Sequence, residues 1–246
     1  MSNNIHGVLF DFGDTLMYPQ ASWPPVFERA SHRLGEYLAI HDKRVDCSSI
    51  PTEFRQRLGE YFIERERSMI ETSSMAVLQN LLAEKGFVHL NEAFLREALD
   101  QYYAVTQQNW LLEEDAIPTL EALKAAQIRI GLVSNASDSR DVQSLVEKFG
   151  IQSYLDFVLT SADCSYRKPH PRIFELALSN WGYLPDEIAM VGDRLDADIS
   201  GARPLGIYTI WIKRRAARKA APGSAQPDAI VNTLGEIPAL LRDRFW

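Results

Sequence analysis

Asp11 ends a short apolar run, Ile5-His6-Gly7-Val8-Leu9-Phe10. A carboxylate at the end of a buried strand is held rigidly and is partly desolvated. It can attack a phosphoryl or alkyl centre and form a covalent intermediate. Standing alone, it would equally serve as a turn cap. Asp193 and Asp198 follow another apolar run, Ile188–Val191. Brought into one pocket with Asp11, they repel one another unless protonated or bridged by a cation. Donors that are all oxygen, with room for water, suit Mg²⁺. Ser134-Asn135 follows the run Ile128–Val133 and offers hydroxyl, amide and backbone N–H donors to a phosphate. Lys168, stiffened by Pro169 and Pro171, can set a positive charge against the same oxyanion. An isolated lysine of this kind is usually a surface residue, so the set carries more than any member. Asp196, between the two later acids, reads as solvated.

These groups need a frame. Apolar runs ending at Asp11, at Ser134-Asn135, at Thr160-Ser161 and at Gly192-Asp193 read as buried strands. Tyr208–Ile212 is a fifth β-rich run. Between them lie helical stretches: one through Leu120 and Leu123, Ser139–Phe149 stopped by Gly150, a helix opened by Pro171, and Ile199–Ala202 closed by Gly206. Strands alternating with helices predict an α/β fold, a Rossmann-like parallel sheet flanked by helices. Ligands bind such sheets at the carboxyl ends of the strands, where Asp11, Ser134, Ser161 and Asp193 all fall. From Tyr18 to Leu112 the apolar spacing is helical throughout, as in Phe27, Ala30, Leu34 and Leu38, with no strand evident. This block predicts an inserted α-helical domain. The division is residues 1–17 and 113–246 for the α/β core and 18–112 for the insert.

Composition narrows the function classes. The chain of 246 residues is 46% hydrophobic and 24% charged, which excludes a disordered or collagen-like protein. With 26 Lys and Arg against 33 Asp and Glu, the net charge is −7. A broad basic face for nucleic acid is not expected. No apolar run approaches the roughly 20 residues that span a bilayer, and the opening MSNNIHG does not resemble a signal peptide. Cys47 and Cys164 match no metal spacing and read as thiols. A cytoplasmic protein, monomer or homodimer, is the expectation. The basic stretch from Lys213 to Pro227 reads as a solvated loop, or else as a patch facing substrate or partner.

The set of motifs resembles the haloacid dehalogenase superfamily of hydrolases, in its form with a helical cap after the first motif (phosphoglycolate phosphatase-like). Leu9-Phe10-Asp11-Phe12-Gly13-Asp14-Thr15-Leu16 resembles the first motif and Val133-Ser134-Asn135 the second. Tyr166-Arg167-Lys168-Pro169-His170-Pro171 resembles the third, and Val191-Gly192-Asp193 through Gly201-Ala202 the fourth. The resemblance implies a Mg²⁺-dependent phosphohydrolase acting on a small phosphorylated substrate through an aspartyl-phosphate. Asp11 would be nucleophile and metal ligand, and Gly13 would offer its carbonyl to the metal. Thr15 would steady the loop beside the phosphate-binding Ser134, Asn135 and Lys168. Asp193 and Asp198 would hold Mg²⁺.

One departure stands out. The family's phosphatases carry a second Asp two residues after the nucleophile, as general acid. Here that position is Gly13, and Asp14 follows it. A general acid contributes roughly 10²–10⁴-fold. Asp14 could take the role, Glu28, His32 or another cap residue could supply the proton, or the leaving group could need none, as in an acyl phosphate. Alternatives are a 2-haloacid dehalogenase, which resembles the fourth motif less, and a non-catalytic phosphate-binding protein. A Schiff-base mechanism would require a cap lysine, and only Lys43 and Lys85 are present there. Tyr18, Trp23, Phe27, Arg29, His32 and Arg33 are the candidate substrate contacts from the cap, with Arg29 or Arg33 reading a second anionic group. Trp110 is expected near the junction of cap and core.

Overall fold

The computed structural model describes residues 4–41, 47–87, 91–215 and 225–245. A six-stranded, all-parallel sheet runs in the order β5 (Phe157–Thr160), β4 (Arg129–Ser134), β1 (Gly7–Phe10), β6 (Ile188–Gly192), β7 (Tyr208–Ile212), β8 (Ala229–Val231). Both faces are covered, which is why β1 and β6 are buried at every residue and read as unbroken apolar runs. The chain works outward from β1 to one side, then crosses to β6 and works outward to the other. The reversal opens a crevice at the carboxyl ends of β1, β4 and β6. Helices α5 (Ala116–Ala125), α6 (Ser139–Lys148), α8 (Pro171–Ser179) and α10 (Ile237–Phe245) flank the sheet, with the short α7 (Ser161–Cys164) and α9 (Ser200–Ala202).

The insert is helical, as its spacing predicts: α1 (Trp23–His41), α2 (Ile50–Ser68), α3 (Ser74–Glu84) and α4 (Glu92–Thr106). On α1, Val26, Ala30, Leu34 and Leu38 recur at helical spacing and are buried. Ala30, Leu34 and Leu38 join Phe54, Leu78, Leu81 and Leu99 in an apolar cluster of their own, separate from the clusters on the sheet. Ser73 and Asn91 cap α3 and α4 by accepting from Ala76 N and Phe94 N, each worth about 1 kcal/mol.

The structure differs from the sequence expectation in four places. β2 (Met17–Pro19) and β3 (Trp110–Leu112) form an antiparallel ribbon in the stretch expected to hold no strand. Three residues are too few to show alternation. The ribbon exists because the chain leaves the sheet domain and returns to it side by side, and Asn109 ties the two passes through Ala21 N (2.9 Å) and Ala21 O (3.0 Å). The helical stretch after β6 begins earlier than Ile199, with a π-helical turn over Leu195–Ile199. β8 is a short edge strand with no signal of its own. Of the basic stretch from Lys213 to Pro227, residues 216–224 lie outside the described residues. Its start is not a solvated loop: Arg214 pairs with Asp115 (2.6 Å) and Glu113 (2.9 Å), and Arg215 with Glu113 (2.8 Å). Neither cysteine is in a disulfide. Among the described residues no helix is long and apolar enough to cross a membrane.

Candidate active site

Asp11 stands one residue past β1, and its N–H donates to Val191 O (2.9 Å), which fixes it against β6. The chain then turns sharply, with Leu16 N and Met17 N both bonded to Phe12 O. Thr15 Oγ1 donates to Asp11 Oδ2 (3.3 Å). From across the crevice, Lys168 Nζ donates to Asp11 Oδ1 (2.6 Å) and to Val133 O (2.7 Å), and it makes ion contact with Asp198 Oδ1 (2.7 Å). Asn135 holds that lysine: its Oδ1 accepts from Lys168 N (2.8 Å) and its Nδ2 donates to Lys168 O (2.9 Å). Its amide thus serves the lysine's backbone, while Ser134 lines the cleft directly.

Asp198 owes its position to the π-helical turn. Its Oδ2 accepts from Arg194 N (3.0 Å), and a Cβ on Gly192 would collide with its carboxylate. Gly192 is therefore required by the acid six residues later. A Cβ on Gly201 would strike Phe174 and the Pro169 backbone, so Gly201 lets this segment pack against the one that carries Lys168. Trp211 Nε1 donates to Asp193 O (2.8 Å), tying the other acid to β7.

Asp11, Asp193 and Asp198 bring carboxylate oxygens within 4.8 Å of one another, all three residues being buried. Among the described residues only Lys168 offsets them at contact distance. Burial, and then the charges of Asp11 and Asp198, push the Asp193 carboxyl up to about 9. Burial also raises Asp198, to about 6, against the pull of Lys168. Burial disfavours the Lys168 ammonium, but Asp11 and Asp198 outweigh it and raise its pKa. A buried cluster with this excess of negative charge is the environment a divalent cation relieves. The donors fit one: all are oxygen, and opposite ligands of an octahedral Mg²⁺ are separated by about 4.2 Å.

The cleft over this cluster is a cavity of about 250 Å³, also lined by Gly13, Asp14, Trp110, Arg65, Arg167 and Asp141. Asp14 adopts a left-handed backbone (φ 58°). Burial, then Asp11, raises its pKa to about 6, with Arg215 opposing. At Gly13 an added Cβ meets nothing nearer than the Trp110 ring at 3.4 Å, so space for a side chain exists there.

Several expected contacts lie elsewhere. Glu28, Arg29, His32 and Arg33 are exposed on α1 and none lines the cleft; Arg33 pairs with Glu36 instead. Trp23 stacks on Phe27 and meets Trp110 edge-on, 4.9 Å between ring centroids. Tyr18 lies under the Arg215 guanidinium, 4.0 Å from the ring centroid. Lys85 is engaged by Ser49 and Glu53 on the insert, and Lys43 lies outside the described residues. Asp196 pairs with Arg194 (2.9 Å). The insert reaches the cleft through α2 and the segment after it. There Arg167 N donates to Met69 O and Glu71 N to Ser165 O, both at 2.9 Å, while the buried Glu71 carboxylate pairs with Arg167. Arg65, Arg167 and Arg194 therefore stand over the strand ends. Nothing in the spacing of Arg65-Glu66-Arg67 distinguishes Arg65 from a solvated face, because the docking of the insert is not encoded locally.

A family model for haloacid dehalogenase-like hydrolases matches residues 5–206. The phosphoglycolate phosphatase of Salmonella choleraesuis is 25% identical over 241 residues, 96% of this chain and 93% of that protein. The ribulose-1,5-bisphosphate 5-phosphatase of Halopiger xanaduensis is 32% identical over 148 residues, 58% of this chain; the aligned part spans 62% of that relative. Among solved structures, a 2-haloacid dehalogenase from Pseudomonas syringae pv. Tomato superposes with a TM-score of 0.70 at 23% identity, covering 97% of this chain and 99% of that one. At that identity the likeness speaks for the fold. The match over most of the chain makes this protein a member of the haloacid dehalogenase-like hydrolase family.

Proposed function

We propose that the protein is a Mg²⁺-dependent phosphohydrolase acting on a small phosphorylated metabolite through an aspartyl-phosphate on Asp11. The observation that carries this reading is the buried triad of Asp11, Asp193 and Asp198 with Lys168 bridging two of its members. Asp11, Asp193, Asp198 and the Gly13 carbonyl would hold the metal, which supplies positive charge to the transferring phosphoryl group. Lys168 and Ser134 bind the phosphoryl oxygens, and Asn135 and Thr15 keep Lys168 and Asp11 in place. An Asp11 carboxylate oxygen attacks phosphorus while the bond to the leaving oxygen breaks, and that oxygen takes a proton. Water then attacks the phosphorylated Asp11, freeing phosphate and restoring the carboxylate. Asp14, on the cleft wall, is our assignment for the acid that Gly13 cannot be. Residues 18–112 act as the cap that covers the site and excludes water.

Phosphoglycolate and ribulose-bisphosphate phosphatases among the relatives support a small monoester as substrate. Against the dehalogenase likeness of the fold stand three carboxylates that a metal-free halide displacement does not need. The test is phosphate release from a panel of phosphate esters and acyl phosphates, with and without Mg²⁺. The expected result is Mg²⁺-dependent release that rises in Gly13→Asp for esters with poor leaving groups. Halide release from 2-haloacids without metal, with no phosphate release, would overturn the proposal.

A further inference from the structure

Arg65 is the cationic side chain that the insert presents to the cleft, and it is poorly satisfied. It sits in the last turn of α2 with its side chain only 17% exposed, the guanidinium carbon 3.9 Å from the centroid of the Phe62 ring. Its ion partner, Glu71 Oε1, is 3.5 Å away, and its Nε is buried with no partner. Glu71 is already engaged. Its Oε1 accepts from Tyr61 OH (3.2 Å), and its Oε2 accepts from Ser161 Oγ (2.5 Å) and pairs with the buried Arg167. The other acid at this seam, Glu66, is half exposed and lies nearer Arg194 (3.2 Å) than Arg167 (3.9 Å). Arg194 has Asp196 as well. The buried Arg167 and the mostly buried Arg65 therefore share one buried carboxylate. Burial, then the Arg167 charge, pulls the Arg65 pKa down to about 10, with Glu71 opposing. Arg65 and Arg167 both line the cavity that holds Asp11 and Lys168.

A guanidinium kept dry beside another cation is costly unless an anion completes it. Its planar fork suits a carboxylate or phosphate. We infer that Arg65, with Arg167 behind it, binds a second anionic group of the substrate, so that the preferred substrates are phosphomonoesters bearing a carboxylate or a second phosphate. The inference rests on the phosphohydrolase reading above. The cavity, below the roughly 300–1,000 Å³ usual for ligand pockets, favours a short chain between the two anionic ends.

The experiment compares kcat/KM within matched pairs in Mg²⁺. One pair is 2-phosphoglycolate against ethyl phosphate, the other propane-1,3-diyl bisphosphate against propyl phosphate, with p-nitrophenyl phosphate as the generic ester. Wild type is expected to prefer the doubly anionic member of one pair, which identifies carboxylate or phosphate as the group read. Arg65→Gln is expected to reduce that preference about 10–100-fold, mainly through KM, as loss of a charged hydrogen bond does. Arg65→Lys keeps the charge but not the fork and is expected to fall between; it carries the test if the glutamine variant does not fold. Equal losses for both members of each pair would make Arg65 a strut for Glu71 and overturn the inference. So would a wild-type preference near one in both pairs. No release from any ester, p-nitrophenyl phosphate included, would overturn the phosphohydrolase reading itself and this inference with it.

Discussion

Two buried charge clusters face the same cleft with opposite signs. At the strand ends, Asp11, Asp193 and Asp198 have one ammonium, Lys168, in contact. At the seam between α2 and the third-motif loop, Arg65 and Arg167 share Glu71. Each cluster is tightly hydrogen-bonded and each is out of balance. A structural ion pair would be matched, because burying an unpaired charge costs several kcal/mol. The difference in sign underlies the roles proposed above, a cation at the first cluster and an anion at the second. An acidic chain of net −7 handles phosphate by arranging a few charges locally rather than by a basic surface.

The largest effect that would break this contrast is at the nucleophile. Asp11→Asn keeps the shape but removes the attacking carboxylate. Turnover should fall on the order of 10³-fold or more in a phosphate-release assay, and undiminished turnover would remove Asp11 from the mechanism. Next is the seam. Glu71→Gln leaves Arg65 and the buried Arg167 without the carboxylate they share, and thermal unfolding should show a loss of about 3 kcal/mol or more. A loss under about 1 kcal/mol would mean the seam is solvated and its imbalance carries no meaning.

The smallest step, counted per pH unit, is a pH dependence of the metal-free protein. Asp193 binds its proton more tightly folded, with a pKa near 9, than unfolded, near the ordinary 3.8. The folded state therefore holds the extra proton between those values, and stability must fall as pH rises through that window. For this one proton the slope is at most about 1.4 kcal/mol per pH unit. Melting curves from pH 5 to 8 should show the decline without metal and flatten it with Mg²⁺. A rise in stability with pH would place the acids in a satisfied network instead.

The strand-end cluster was legible in the sequence because Asp11 and the pair Asp193 and Asp198 each follow an apolar run, and strand ends of a parallel sheet converge. Tyr208–Ile212 matches its strand, and the runs before Asp11, Ser134 and Asp193 mark β1, β4 and β6. The seam was not legible. Arg65 looks like any charge on a helix face, and Glu71 sits between two helices with no periodicity. Their meeting with Arg167 depends on how the insert docks, which long-range packing decides. For the same reason the arginine that lines the cleft from the insert lies on α2, not at Arg29 or Arg33 on α1. Asn135 shows a subtler limit. Its type suits a phosphate, yet its amide is turned to the Lys168 backbone, a pairing 33 residues apart.

The proposed mechanism depends on the triad's excess negative charge forming a site for one divalent cation. Calorimetric titration of the wild-type protein and of Asp193→Asn with Mg²⁺ tests it most directly. One saturable site is expected in the wild type and none in the variant. No saturable binding to the wild type, or an unchanged isotherm in Asp193→Asn, would contradict it.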